Sequence, residues 1–175
     1  VTNIDPAAEN LARWDVHPSG GEYFTTYRNA YRTQVDVVLR NGCAVLNACD
    51  EIVASLAELS DGEVIFFAAD PACPAMAEHI AAGKRGVFVR DGRIALATGS
   101  EEIRLCRLGD VPVIGRQKDP ATIANVLAAV AAGWALGLTK EVIATGVKTF
   151  GLELPDPAAL LPQGARRSPP AAFRN

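Results

Sequence analysis

The segment Cys43–Ala68, CAVLNACDEIVASLAELSDGEVIFFA, sets the fold class. Cys43 to Leu46 is a short apolar strand pattern, and Asp50 stands where it can cap a following helix. From Glu51 to Leu59 the residues Ile52, Leu56 and Leu59 recur at helical spacing, and Asp61-Gly62 stops the pattern. Glu63 to Ala68 is then a continuous apolar run, of the kind buried on both faces of a parallel sheet. Strand, helix and strand in that order predict a βαβ unit with a right-handed crossover. The expected class is therefore α/β, with a mostly parallel sheet and flanking helices.

Toward the C-terminus, Asp70-Pro71 opens a short helix through Met76 and Ile80 that ends at Gly83. Gly86–Arg90, Asp91-Gly92 and Arg93–Leu96 then form a hairpin signature with a type I′ turn. Thr98-Gly99-Ser100 leads to a third alternating strand, Glu102–Arg107. These strands predict a small antiparallel meander at one edge of the parallel core. Asp119 and Pro120 read as N-cap and first residue of a helix with Ile123, Val126 or Leu127, Val130, Trp134 and Leu138 on one face. Gly137 suits a left-handed C-terminal position, and Thr139 can cap a second helix whose inner face holds Val142 or Ile143, Val147 and Phe150.

Toward the N-terminus, Tyr23, Tyr27 and Ala30 or Tyr31 follow helical spacing before the β-branched run Val35–Leu39 and the turn pair Asn41-Gly42. Val1–Ile4 reads as a short strand cut off by Asp5-Pro6. After Gly151 the composition shifts to Pro, Ala and Arg, so residues 1–150 are expected to fold and 151–175 to form a linker or tail.

A chain of 175 residues suits one domain, and 49% hydrophobic with 21% charged residues is ordinary for a globular α/β protein. The net charge of -3 argues against a nucleic-acid footprint. The small basic clusters Lys84-Arg85 and Arg166-Arg167 read as solvated surface. Cys43, Cys49, Cys73 and Cys106 form no Cys-x-x-Cys pair, and with His17 and His79 they give no zinc spacing. They are expected to be buried and reduced, in a cytoplasmic protein. No apolar run is long enough for a membrane span. The chain starts at Val1 with Met76 as its sole methionine, which suggests a processed product or a piece of a longer protein.

The stretch Ala121–Phe150, ATIANVLAAVAAGWALGLTKEVIATGVKTF, resembles a helix pair of the Mur ligase superfamily, and it looks closest to the Mur-ligase-like module of the cyanophycin synthetase family. Val1-Thr-Asn-Ile4, the segment Gln34–Asp50, and Asp61–Phe67 with the Asp91-Gly92 hairpin resemble the family's preceding landmarks in order. The resemblance implies the C-terminal half of a central, ATP-binding domain in residues 1–150. It implies an ATP- and magnesium-dependent ligase that activates a carboxylate as an acyl phosphate and forms an amide, joining arginine to aspartate side chains of a polymer. It implies no nucleic-acid or membrane partner and allows a homo-oligomer.

Carried over by position, Asn47 and Asp50 would lie on the nucleotide-side rim after a strand, and Asn125 would open a helix closing the same cleft. Each has a plainer alternative: a turn former for Asn47, a helix N-cap for Asp50, and local backbone pairing for Asn125. His17 and His79 are expected at the surface or satisfied locally, and Trp134 in the core rather than under an adenine. The family's Gly-Lys-Thr/Ser phosphate loop occurs nowhere in these residues; in the family it precedes the position of Val1. Glu9-Asn10 stands at the family's Asp-His, Cys49 at an Asp, and Thr122 at an Asn. Two functions follow. One is part of a ligase that is inactive without the phosphate loop. The other is a non-catalytic nucleotide-binding or oligomerisation module of the same descent. A third, weaker match is to ligases building peptidoglycan precursors or polyglutamylated folate.

Overall fold

The structure, a computed structural model, describes residues 31–116 and 119–152. The expectations for Val1–Ile4, Glu9-Asn10, His17 and the segment beyond 152 lie outside the described residues.

Helical residues 31–36 (α1) lead into β1 (Cys43–Asn47), α2 (Glu51–Ser55) and β2 (Glu63–Ala68). Then come α3 (Pro74–Ala81), β3 (Arg85–Arg90), β4 (Arg93–Thr98) and β5 (Glu101–Arg107). The chain ends its described course in α4 (Pro112–Arg116), α5 (Pro120–Ala135) and α6 (Lys140–Thr149). The five strands lie in sequence order, with β1, β2 and β3 parallel and β3, β4 and β5 antiparallel. This is the parallel core with an attached meander that the alternation and turn signals predict.

Local chemistry explains each junction. Asp50 caps α2, its carboxylate accepting from the amides of Ile52 and Val53 at 3.0 and 3.1 Å. The rest of the predicted Glu51–Leu59 helix tightens into a 3-10 turn over Leu56–Leu59. At the β3–β4 corner Asp91 and Gly92 both have positive φ, 53° and 68°, as a type I′ turn demands. α5 ends in a Schellman motif: the Leu138 amide donates to Gly133 and the Gly137 amide to Trp134, with Gly137 at φ 77°.

The β-branched Val35–Leu39 run is partly helical, and one predicted helix starts later than expected. The Val37 amide donates back to Thr33, so the helix carries on to Asp36, and Val37 and Leu39 are left exposed. α3 begins at Pro74 rather than at Asp70-Pro71, because the Asp70 carboxylate accepts from the Ala72 amide and holds a turn there.

Strand alternation sends side chains to two cores. Leu46, Phe66, Phe88 and Ala95 pack with α2, α3 and Val35 on one face. Ile65, Phe67, Val87 and Leu96 pack with α4, α5 and α6 on the other. Near Ile94 and Ala95 a bulge in β5 breaks the alternation, and Leu105 and Cys106 both join this second core.

Candidate functional site

In an open α/β sheet the carboxyl ends of parallel strands are where ligands bind, so the loops after β1 and β2 come first. Asn47 ends β1, and its Oδ1 accepts from the Cys49 amide at 3.0 Å, an Asx turn. The Ala48 amide donates to Phe67 at 2.9 Å, so this corner continues the ladder to β2. Asn47 and Asp50 are thus brought together, both shaping the entry to α2. The loop after β2 lies alongside: the Cys49 thiol donates to the Asp70 carbonyl at 3.7 Å. A cavity of about 620 Å³ runs between α2 and α3 and reaches both loops, with Ala48, Cys49, Cys73 and His79 among its walls.

This corner is a poor seat for an anion. The two amides that open α2 are already taken by the Asp50 carboxylate, whose own charge repels phosphate. Among the described residues no group of three or more His, Cys, Asp or Glu side chains could hold a metal ion.

Asn125 lies elsewhere. It is exposed on α5 and lines a groove of about 700 Å³ between α4, α5 and α6. The walls are mostly apolar, including Val111, Ala129, Val142, Val147 and Phe150, and neither Asn47 nor Asp50 is among them. Thr122 shares this groove, but its hydroxyl is turned to the Asp119 carboxylate at 2.6 Å.

The opposite, amino ends of the strands carry a polar cluster that the sequence reading passes over. Arg85 forms a two-point ion pair with Glu63, donates to the Trp134 carbonyl at 3.4 Å, and stacks on the Trp134 ring. Hydrogen bonding to Arg85 holds the Glu63 carboxyl below its ordinary range, and the same pairing raises Arg85. Arg85 is therefore not the solvated charge that the Lys84-Arg85 pair suggests; a parallel strand beginning with Glu beside one beginning with Arg is the signal that could have found it. Trp134 is partly buried against the second core, under a guanidinium.

His79 is buried, not surface-exposed, yet it is satisfied locally. Its Nε2 lies 3.1 Å from the carbonyls of both Val64 and Arg85, so this nitrogen carries the proton and donates across β2 and β3. Desolvation first, and then the Lys84 charge, push its pKa down. The cysteines divide as well: Cys106 is buried and Cys43 half-buried, whereas Cys49 is exposed.

No helix among the described residues is long and apolar enough to cross a membrane. No family model matches the chain. It is 35% identical over 115 residues to a cyanophycin synthetase of Synechocystis sp., a match covering 66% of this chain and 13% of that protein. A cyanophycin synthetase of Trichormus variabilis is 31% identical over 147 residues, covering 84% of this chain and 16% of the relative. A UDP-N-acetylmuramoylalanine–D-glutamate ligase of Symbiobacterium thermophilum is 28% identical over 152 residues, covering 85% and 29%. The chain therefore spans only a small part, 13% to 16%, of these cyanophycin synthetases.

Proposed function

We propose that this chain, a Mur-ligase-like segment similar to cyanophycin synthetases, is the C-terminal half of a nucleotide-dependent ligase core. On this reading residues 1–150 belong to that half-domain, and 151–175 to a linker or tail. In the complete enzyme the reaction is ATP-dependent amide formation between aspartate side chains of a polymer and arginine. Asn47 and Asp50 shape the rim at the end of β1, and Asn125 stands on the helix behind it.

ATP and magnesium do not fit the described residues by themselves. The α2 amides are occupied by Asp50, and the sequence holds no Gly-Lys-Thr/Ser loop to cradle phosphate. Catalysis by charge neutralisation must then draw its donors from a phosphate loop outside these residues. The observation carrying this reading is the parallel β1–β2–β3 core, with its strand-end corner at Asn47–Asp50, in a chain that matches one stretch of much longer ligases.

The test is a fusion of this chain behind the Gly-Lys-Thr/Ser-bearing part of the Synechocystis relative, assayed for ATP-dependent incorporation of arginine into an aspartate polymer. Turnover by the fusion, and none by the 175-residue chain alone, is expected. A folded fusion without turnover favours the second reading, a non-catalytic nucleotide-binding or oligomerisation module. What supports that alternative is the separation of Asn125 from the β1 corner and the exposed Val142 and Phe150 beside its groove.

A further inference from the structure

We propose that Cys49 and Cys73 are a redox-active pair that closes to a disulfide, tying the loop after β1 to the loop after β2. Because β1 and β2 are neighbouring parallel strands, the residues that follow them emerge side by side. The Asp70 carbonyl sits between the two cysteines, accepting from the Cys49 thiol at 3.7 Å and from the Cys73 amide at 3.5 Å. Both cysteines line the same cavity. Burial, and next the hydrogen bond with the neighbouring Cys49 thiol, raise Cys73 to about 11, so Cys73 gives up its proton only as it attacks. Cys49 is exposed and meets an oxidant first; Cys73 is partly covered and resolves.

The chemistry balances with a peroxide as oxidant. The Cys49 sulfur takes one peroxide oxygen as the O–O bond breaks, giving a sulfenic acid and one water. The Cys73 sulfur then attacks the Cys49 sulfur, and the displaced hydroxyl leaves with the Cys73 proton as a second water. Two thiols lose two electrons, and the peroxide gains them. The other cysteines are placed differently: Cys43 opens β1 at the far end of the strand, and Cys106 is buried on the opposite face of the sheet. The inference stands apart from the ligase reading and needs no nucleotide.

The experiment treats the full chain with stoichiometric hydrogen peroxide, followed by non-reducing digestion and mass spectrometry. A Cys49–Cys73 linked peptide that dithiothreitol dissolves is expected, with Cys43 and Cys106 remaining free thiols. In Cys73→Ser the exposed Cys49 should proceed to sulfinic acid and no intramolecular link should form. Sulfinic acid at Cys49 in the unsubstituted chain with Cys73 still a free thiol would overturn the proposal, as would a link only between separate chains. Because the unsubstituted chain supplies the deciding readout, a folding defect in the variant leaves the test intact.

Discussion

The Arg85 guanidinium lies 4.8 Å above the centre of the Trp134 ring, joining the start of β3 to the last turn of α5. This contact, with the Arg85 bond to the Trp134 carbonyl, sets the carboxyl end of α5 over the amino ends of the strands. The helix therefore runs back along the sheet, and its amino end with Asn125 points toward the carboxyl ends of the parallel strands. Arg85→Ala should cost about 1–2 kcal/mol, since it removes a stacked cation and a partly exposed ion pair together. Arg85→Lys should recover only part, because an ammonium cannot make the two-point pairing with Glu63. A double-mutant cycle with Trp134→Ala, read by urea denaturation, should give a coupling of about 0.5–1 kcal/mol. No coupling would mean that the stacking does not contribute to holding α5.

His79 makes stability depend on pH in a stated direction. Its folded pKa is depressed below the ordinary 6.5, chiefly by desolvation, so the unfolded chain binds more protons in the window just under 6.5. Its contribution is fully present above pH 6.5 and is lost as pH falls through the lower, folded value. Urea midpoints should therefore drop between pH 7 and pH 5.5. His79→Gln, which retains a donor without titrating, should show a smaller drop over the same range. Equal slopes in the two proteins would contradict the assignment.

Gly62 is a packing requirement. A Cβ there would stand 2.5 Å from the carbonyl oxygens of both Gly42 and Leu39, where backbone cannot give way cheaply. Gly42 also accepts from the Glu63 amide at 3.0 Å, so the clash would strain the entry to β2. Gly62→Ala should destabilise by about 2 kcal/mol, measured by chemical denaturation. A neutral substitution would show that the loop before β1 shifts freely.

Asp50 caps α2, and two substitutions separate its hydrogen bonds from its charge. Asp50→Asn keeps a side-chain oxygen for the Ile52 and Val53 amides and should be nearly neutral in stability. Asp50→Ala should cost about 1 kcal/mol. If both variants lost the same stability, the charge rather than the hydrogen bonds would be responsible.

What could be read from the sequence is local in origin. Asp91-Gly92, Asp119-Pro120, Gly137 and Thr139 each fix a turn or a helix end through their own backbone preferences, and each sits where those preferences place it. The apolar run Glu63–Ala68 likewise reports burial on both sheet faces. What escaped depends on neighbours distant in sequence. Arg85 meets Glu63 and Trp134 only because β2, β3 and α5 converge, and His79 is buried only because α3 lies across β2 and β3. Cys49 and Cys73 look unrelated along the chain until the pairing of β1 with β2 sets their loops side by side. For the rim, the Asn47–Asp50 corner was readable as a turn and cap, whereas the direction Asn125 faces on α5 follows from the packing of α6.

In the proposed ligase core these residues furnish the rear of a nucleotide site whose phosphate cradle comes from elsewhere. Calorimetric titration of the 175-residue chain with magnesium-ATP measures this most directly. No saturable binding below the millimolar range is expected. A saturable, micromolar isotherm on the isolated chain would show instead that these residues hold the nucleotide unaided.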